Sequence, residues 1–143
     1  MTTISARGLY KVFGKDPQNA IAALENGASR EELMEKGSTA AVIDASFDVE
    51  PGEIFVIMGL SGCGKSTLIR MVNGLLPASG GTLEIDGTPL TEMSESQLRD
   101  LRRDKISMVF QHFALLPHRT VLQNAAYGLS LIHISEPTRQ AEI

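Results

Sequence analysis

The chain has 143 residues, 43% of them hydrophobic and 21% charged, with a net charge of −4, which suits one globular domain with a real core. No run approaches the ~18 apolar residues of a membrane span, and the opening MTTISARGLYKVFG lacks the basic-then-apolar layout of a signal peptide, so the expected location is cytoplasmic. The densest basic stretch, residues 99–105, is broken by Asp100 and Asp104 and reads as a solvated helix face rather than a nucleic-acid footprint, and the single cysteine excludes an internal disulfide.

Residues 4–13 read as a first strand that leads to a turn at Gly14. Asp16 followed by Pro17 is an N-cap with proline at the first helical position, and this helix should run to about Asn26 and stop at Gly27. Ser29 with Glu32 three residues on is a capping box that opens a second short helix ending near Gly37. The pair forms a helical insertion over about 16–37. From Val42 to Val49 apolar Ile43, Ala45, Phe47 and Val49 alternate with Asp44, Ser46 and Asp48, the pattern of a half-buried strand.

EIFVIM, residues 53–58, is an unbroken apolar run rich in strand formers, expected as a strand buried on both faces. A helix should follow from about Lys65 to Leu76, closed by Pro77. TLEID over 82–86 reads as a strand, Ser94 with Gln97 as another capping box, ISMVF over 106–110 as a further core strand, and Thr120 with Gln123 as the start of a last helix. The six methionines read as core filler.

Between the predicted buried strand and its helix lies GLSGCGKST, residues 59–67, which fits G-x-x-x-x-G-K-[ST] in the strand-to-helix context that the chemistry requires. Gly59, Gly62 and Gly64 let the backbone turn its N–H groups toward phosphate oxygens, and the helix adds the positive end of its dipole. Lys65 is expected to reach the β- and γ-phosphates and the Ser66 hydroxyl to ligate Mg²⁺. Thr67 is expected on the α-phosphate side, with Ser61 and Cys63 completing the loop. The pattern marks a binder of ATP or another nucleoside triphosphate and leaves kinases, GTPases, helicases and transport ATPases open. Cys63 reads as neutral filler, although a thiol reagent there would block the site.

SMVFQHFALLPHRTV, residues 107–121, puts Gln111 directly after a predicted core strand. Together with the phosphate loop and the intervening SGGTLEIDG, it resembles the Q-loop of ABC ATPases. That resemblance implies an α/β P-loop NTPase fold with a β-rich front, here incomplete. It also implies that Gln111 meets Mg²⁺ and the attacking water, and that an aromatic of the first strand stacks on adenine. Phe13 in KVFG is the best match for that ring and Tyr10 the next.

LYKVFG, the insertion through ENGASREELMEKGS, EIFVIMGLSGCGKST and LRRDKISMVFQHFALLPHRTVLQNAAYGL look like the ATP-binding subunits of glycine betaine/proline importers, over about residues 4–128. The insertion is the discriminating feature. The resemblance implies a subunit at the cytoplasmic face of the inner membrane that works as a homodimer. Its partners would be integral-membrane permease subunits and, indirectly, a solute-binding protein, with no nucleic acid. It places Phe113, Leu115 and Leu116 near a permease-docking surface, although simple packing fits them equally. His112 and His118 stand in no ligand cluster.

The chain contains no LSGGQ-type signature, no apolar strand ending in Asp-Glu and no switch histidine. Asp86 comes too early to be the Mg²⁺ carboxylate, and no Asp-Glu strand precedes His133. LSLIHISEPTR, residues 129–139, resembles a frame translation of a common transposase sequencing adapter, so 129–143 is expected to be a non-native tail after an N-terminal part of the ATPase over 1–128. Weak ATP binding without turnover is the corresponding expectation. Two other readings stay open: a soluble ABC ATPase of translation or DNA repair, and a non-catalytic nucleotide-binding regulatory module.

Overall fold

A computed structural model describes residues 3–110 and 115–127. The chain divides into two units, Met1–Met108 and Val109–Ile143. The first is built on an antiparallel sheet of four strands in the order β2-β1-β3-β4. These are β1 (Ile4–Phe13), β2 (Thr39–Val49), β3 (Gly80–Ile85) and the short β4 (Thr88–Pro89).

All three long strands leave the regular pleat at the same level. Gly8 (φ +53°), Asp44 (φ +48°) and Gly81 (φ +79°) adopt left-handed backbone there. A Cβ at Gly81 would collide with the Gly8 carbonyl, so only glycine permits that approach. The bulges change the side-chain period. In β1 the buried residues Ala6, Leu9 and Val12 come three apart rather than two. In β2 the inward positions shift from Ala40 and Val42 to the half-buried Ala45 and Phe47 across Asp44. The predicted alternation over 42–49 is therefore present, but the strand begins earlier, at Thr39.

Two apolar clusters result. Ala6, Leu9, Val42 and Leu83 pack with Met71 of α3 (Lys65–Val72). Val12 and Ala40 pack with Ala20 and Ile21 of α1 (Pro17–Glu25) and Leu33 of α2 (Arg30–Glu35). The insertion thus sits on the end of the β1–β2 pair. Its predicted caps form: Asp16 accepts the Asn19 N–H at 3.1 Å, and Ser29 and Glu32 complete their box. α3 is shorter than predicted, ending at an Asn73 cap, and the chain then leaves in irregular turns before Pro77. Ser79 stitches that exit to β1, donating its N–H to the Tyr10 carbonyl at 2.8 Å and accepting the Val12 N–H at 3.1 Å.

A 3₁₀ turn, Leu90–Glu92, leads into α4 (Glu95–Asp104), capped by the predicted Ser94–Gln97 box with Leu101 buried. Asp86 accepts the Thr3 N–H at 2.9 Å and pairs with Lys105, which closes the end of α4 onto the sheet. Those hydrogen bonds, from Lys105 first and then Thr3, hold the Asp86 carboxyl below its ordinary range. In the second unit, α5 (Val121–Ala125) carries the predicted Thr120–Gln123 box. The Asn124 side chain clasps the preceding loop, accepting the Leu116 N–H at 2.8 Å and donating to the Leu116, Arg119 and Thr120 carbonyls. No helix among the described residues is long and apolar enough to cross a membrane.

The two predicted core strands differ from expectation. Residues 53–58 and 106–110 join no ladder among the described residues. Ile54 is 89% exposed, Met58 86% and Val109 96%. A strand buried on both faces needs hydrogen-bonded neighbours on either edge, and the four described strands pair only among themselves. Phe55 is anchored by its ring, stacked on Phe47 with centroids 5.1 Å apart, and Met108 by its sulfur, which accepts from the Asn73 side-chain amide at 2.8 Å. The methionines divide likewise: Met71 is core, whereas Met34 and Met58 are exposed.

An unpaired apolar segment of this kind is a template for association. The 143-residue chain is expected to self-associate at micromolar concentration. Val56→Lys with Met58→Lys should shift it toward monomer in light scattering without loss of helical signal.

Candidate nucleotide-binding site

The glycine-rich segment runs over residues 59–64 into α3 and lies against β2. Gly62 (φ +79°) and Gly64 (φ +96°) are left-handed. A Cβ at Gly62 would meet nothing, but one at Gly64 would strike the Ala41 carbonyl oxygen. Glycine is therefore required at 64 twice over, by its backbone angle and by its contact. Gly59 has a different neighbour: a Cβ there would lie 2.6 Å from the Cys63 sulfur. Cys63, half-buried, thus closes the loop against its own start.

The four other α-helices among the described residues carry a side-chain cap, from Asp16, Ser29, Ser94 and Thr120. α3 has none, because its N-cap is Gly64. Its first helical bond is from Leu68 N–H to the Gly64 carbonyl, 2.9 Å. The N–H groups of Lys65, Ser66 and Thr67 precede that bond and face a positive dipole end, which is the donor set an oxyanion needs. Among the described residues the Ser66 and Thr67 hydroxyls meet no hydrogen-bond partner. This arrangement fits a polyphosphate.

Lys65 is turned back onto the loop. Its ammonium donates to the Gly59 carbonyl at 2.8 Å and the Leu60 carbonyl at 2.5 Å, with the Cys63 sulfur at 3.4 Å. The charge is thus held inside the cradle by neutral acceptors, which phosphate oxygens can replace with stronger, charge-assisted bonds. Ser61 is exposed at the loop tip.

Phe13 is the last residue of β1 and pairs with Thr39. Thr39 stands two residues before Ala41, the residue that touches Gly64, so one strand segment of about 7 Å links the aromatic to the loop. Phe13 is 43% exposed and is absent from both core clusters. Tyr10 stands elsewhere, in an open groove of about 930 Å³ beneath α1 with Gln18, Glu25 and Asp44. Burial and then the nearby Asp44 and Glu25 carboxylates push its phenol above the usual range.

Gln111, His112 and Phe113 lie outside the described residues, as do the predicted tail and His133. His118 is exposed, Leu115 is 63% exposed, and Leu116 is half-buried under the Asn124 clasp. Sequence reasoning missed Ala41 and Lys11. Ala41 acts through its carbonyl, which no side-chain pattern discloses. Lys11, two residues before Phe13, places its ammonium 5.2 Å from the Phe13 ring centre. Its alternation with Phe13 on one strand was the available signal.

The sequence profile described as ABC transporter matches residues 42–143. The glycine betaine transport ATP-binding protein OpuAA of Bacillus subtilis is 51% identical over 138 residues, 96% of this chain and 33% of its own length. The glycine betaine/proline betaine transport system ATP-binding protein ProV of Escherichia coli is 49% identical over 96% of this chain and 34% of its own. The chain therefore spans about a third of the length of these curated relatives. Among solved structures, the dimeric bacterial ABC transporter cassette MJ0796 superposes with a TM-score of 0.68 at 27% identity, covering 90% of this chain and 47% of that one. The same cassette, in a post-hydrolysis state bound to ADP and Pi, gives 0.67. The fold is accordingly a partial P-loop NTPase domain of α/β class, and such a domain binds nucleotide. From its profile match, its loop and its fold, the chain belongs to the ABC transporter family.

Proposed function

We propose that these residues are the phosphate-binding part of an ATPase subunit that energises import of glycine betaine, proline betaine or a related osmolyte. The observation that carries the reading is the uncapped start of α3 behind Gly64, a set of free N–H donors with Lys65 folded back onto the loop beside them. The betaine assignment rests on the relatives' names and on the insertion that the sequence shares with their kind.

In this reading Gly59, Ser61, Gly62, Cys63, Gly64 and Lys65 wrap the triphosphate, and Thr67 stands beside it. Ser66 and Gln111 would hold Mg²⁺, Gln111 would also meet the attacking water, and Phe13 would stack on adenine. The metal would neutralise charge on the phosphates; the loop binds and orients them. The subunit acts as a homodimer at the cytoplasmic face of the inner membrane, against permease subunits served by a solute-binding protein. Residues 1–128 supply the native part, with the insertion over about 16–37, and 129–143 are the adapter-derived tail. These 143 residues bind ATP weakly and do not turn it over, because the signature motif, the Asp-Glu strand and the switch histidine are not in the sequence.

Titration with a fluorescent ATP analogue tests the loop. Lys65→Ala should weaken binding at least about tenfold, as expected for loss of a charge-assisted hydrogen bond of ~1.5–3 kcal/mol. An unchanged affinity would show that the loop does not hold phosphate. Gly64→Ala should abolish binding outright, through the Ala41 carbonyl, while the circular dichroism spectrum of the sheet persists. A phosphate-release assay should show no turnover above buffer, and robust hydrolysis would refute the inactive-fragment reading. Long reads of the flanking DNA should reveal permease and solute-binding-protein genes. A second ATPase cassette in the same frame would instead favour a role in translation or repair.

A further inference from the structure

We propose that Lys11 is a positioning residue for the nucleotide base, acting through Phe13. The inference rests on the reading of Phe13 as the ring that stacks on adenine. The Lys11 ammonium lies 5.2 Å from the centre of the Phe13 ring, within the range of a cation–π contact. It is fixed there by a second bond, donating to the Pro77 carbonyl at 2.7 Å.

Two consequences follow from that double attachment. The first is electronic. An ammonium against one face of a benzene ring draws on the negative quadrupole of that face and lowers the electron density presented by the other. A base π-face approaching the free side then meets less repulsion. Phe13 keeps 43% of its surface exposed with Lys11 in place, so the ring is available to a planar ligand. The second is geometric. Pro77 lies in the exit from α3, whose other end is the phosphate loop, so Lys11 ties the stacking ring to the body that cradles the phosphates. A ring held in one rotamer loses less entropy when a base settles on it.

Lys11 has a direct alternative role, long-range attraction of the triphosphate. The two are separated by comparing ATP with inorganic tripolyphosphate, which carries the charge without the base. Calorimetric titration of the 143-residue chain should show Lys11→Ala weakening ATP about two- to fivefold, the weight of one exposed cation–π contact. Tripolyphosphate affinity should be unchanged, which also certifies that the variant is folded. Lys11→Arg should restore ATP binding, because a guanidinium both covers an aromatic face and donates to a carbonyl. On a Phe13→Ala background, Lys11→Ala should have no further effect on ATP.

Equal losses for the two ligands, an undiminished effect without Phe13, or no effect of Lys11→Ala would each overturn the proposal. Phe13→Ala with unaltered ATP affinity would overturn the stacking reading along with it. Loss on Phe13→Ala but not on Lys11→Ala would overturn the role of Lys11 alone.

Discussion

The contact between Gly64 and the Ala41 carbonyl is the constraint on which the rest of the site depends. It seats the start of α3 on β2 at a distance that no side chain at 64 could allow. Because Gly64 is left-handed and offers no cap, the N–H groups that follow are aimed outward and left without internal partners. Shape and chemistry therefore have one cause. The residue that lets the helix approach the strand is also the residue that leaves its donors open. A helix capped like the other described helices would be better satisfied in isolation and would have nothing to offer an anion.

The same strand pairs with Phe13, the proposed other end of the site. Thr39 and Ala41 both belong to β2, so anything that fixes this part of the strand fixes Phe13 and the phosphate loop together. The helical insertion does this. Ile21 and Leu33 pack on Val12 and Ala40, the residues next to Phe13 and Ala41. A β1–β2 end without that cover would be free to fray, since the last rungs of a two-stranded edge are held by few bonds. The insertion thus has a structural consequence at the nucleotide site whatever else it contacts.

What was legible in the sequence was what local hydrogen bonding decides. The Ser29, Ser94 and Thr120 boxes formed where they were read, because each closes within three residues. The left-handed turns of Gly62 and Gly64 were legible in the same way, whereas the contact of Gly64 with the Ala41 carbonyl was not. The bulges were not, since the three-residue spacing of Ala6, Leu9 and Val12 depends on neighbours far along the chain. Apolar runs were read as buried strands at 53–58 and 106–110, but hydrophobicity specifies only a wish for burial. Pairing is supplied by partners, and the described strands are already paired with one another.

The parked Lys65 connects these points to what the loop can do energetically. Its ammonium already has the Gly59 and Leu60 carbonyls, so a triphosphate gains only the difference between neutral and charged acceptors. In the proposed reading the cation already lies against the loop that would receive phosphate. Such a loop is preorganised for binding, but preorganised binding acts on ground state and transition state alike and does not by itself accelerate a reaction. Turnover requires groups that act on the attacking water and on the charge developing as the phosphoryl group leaves. In the proposed reading the cradle, the lysine and the aromatic ring would contribute affinity and orientation, and the chemistry of hydrolysis would fall to elements beyond the phosphate loop.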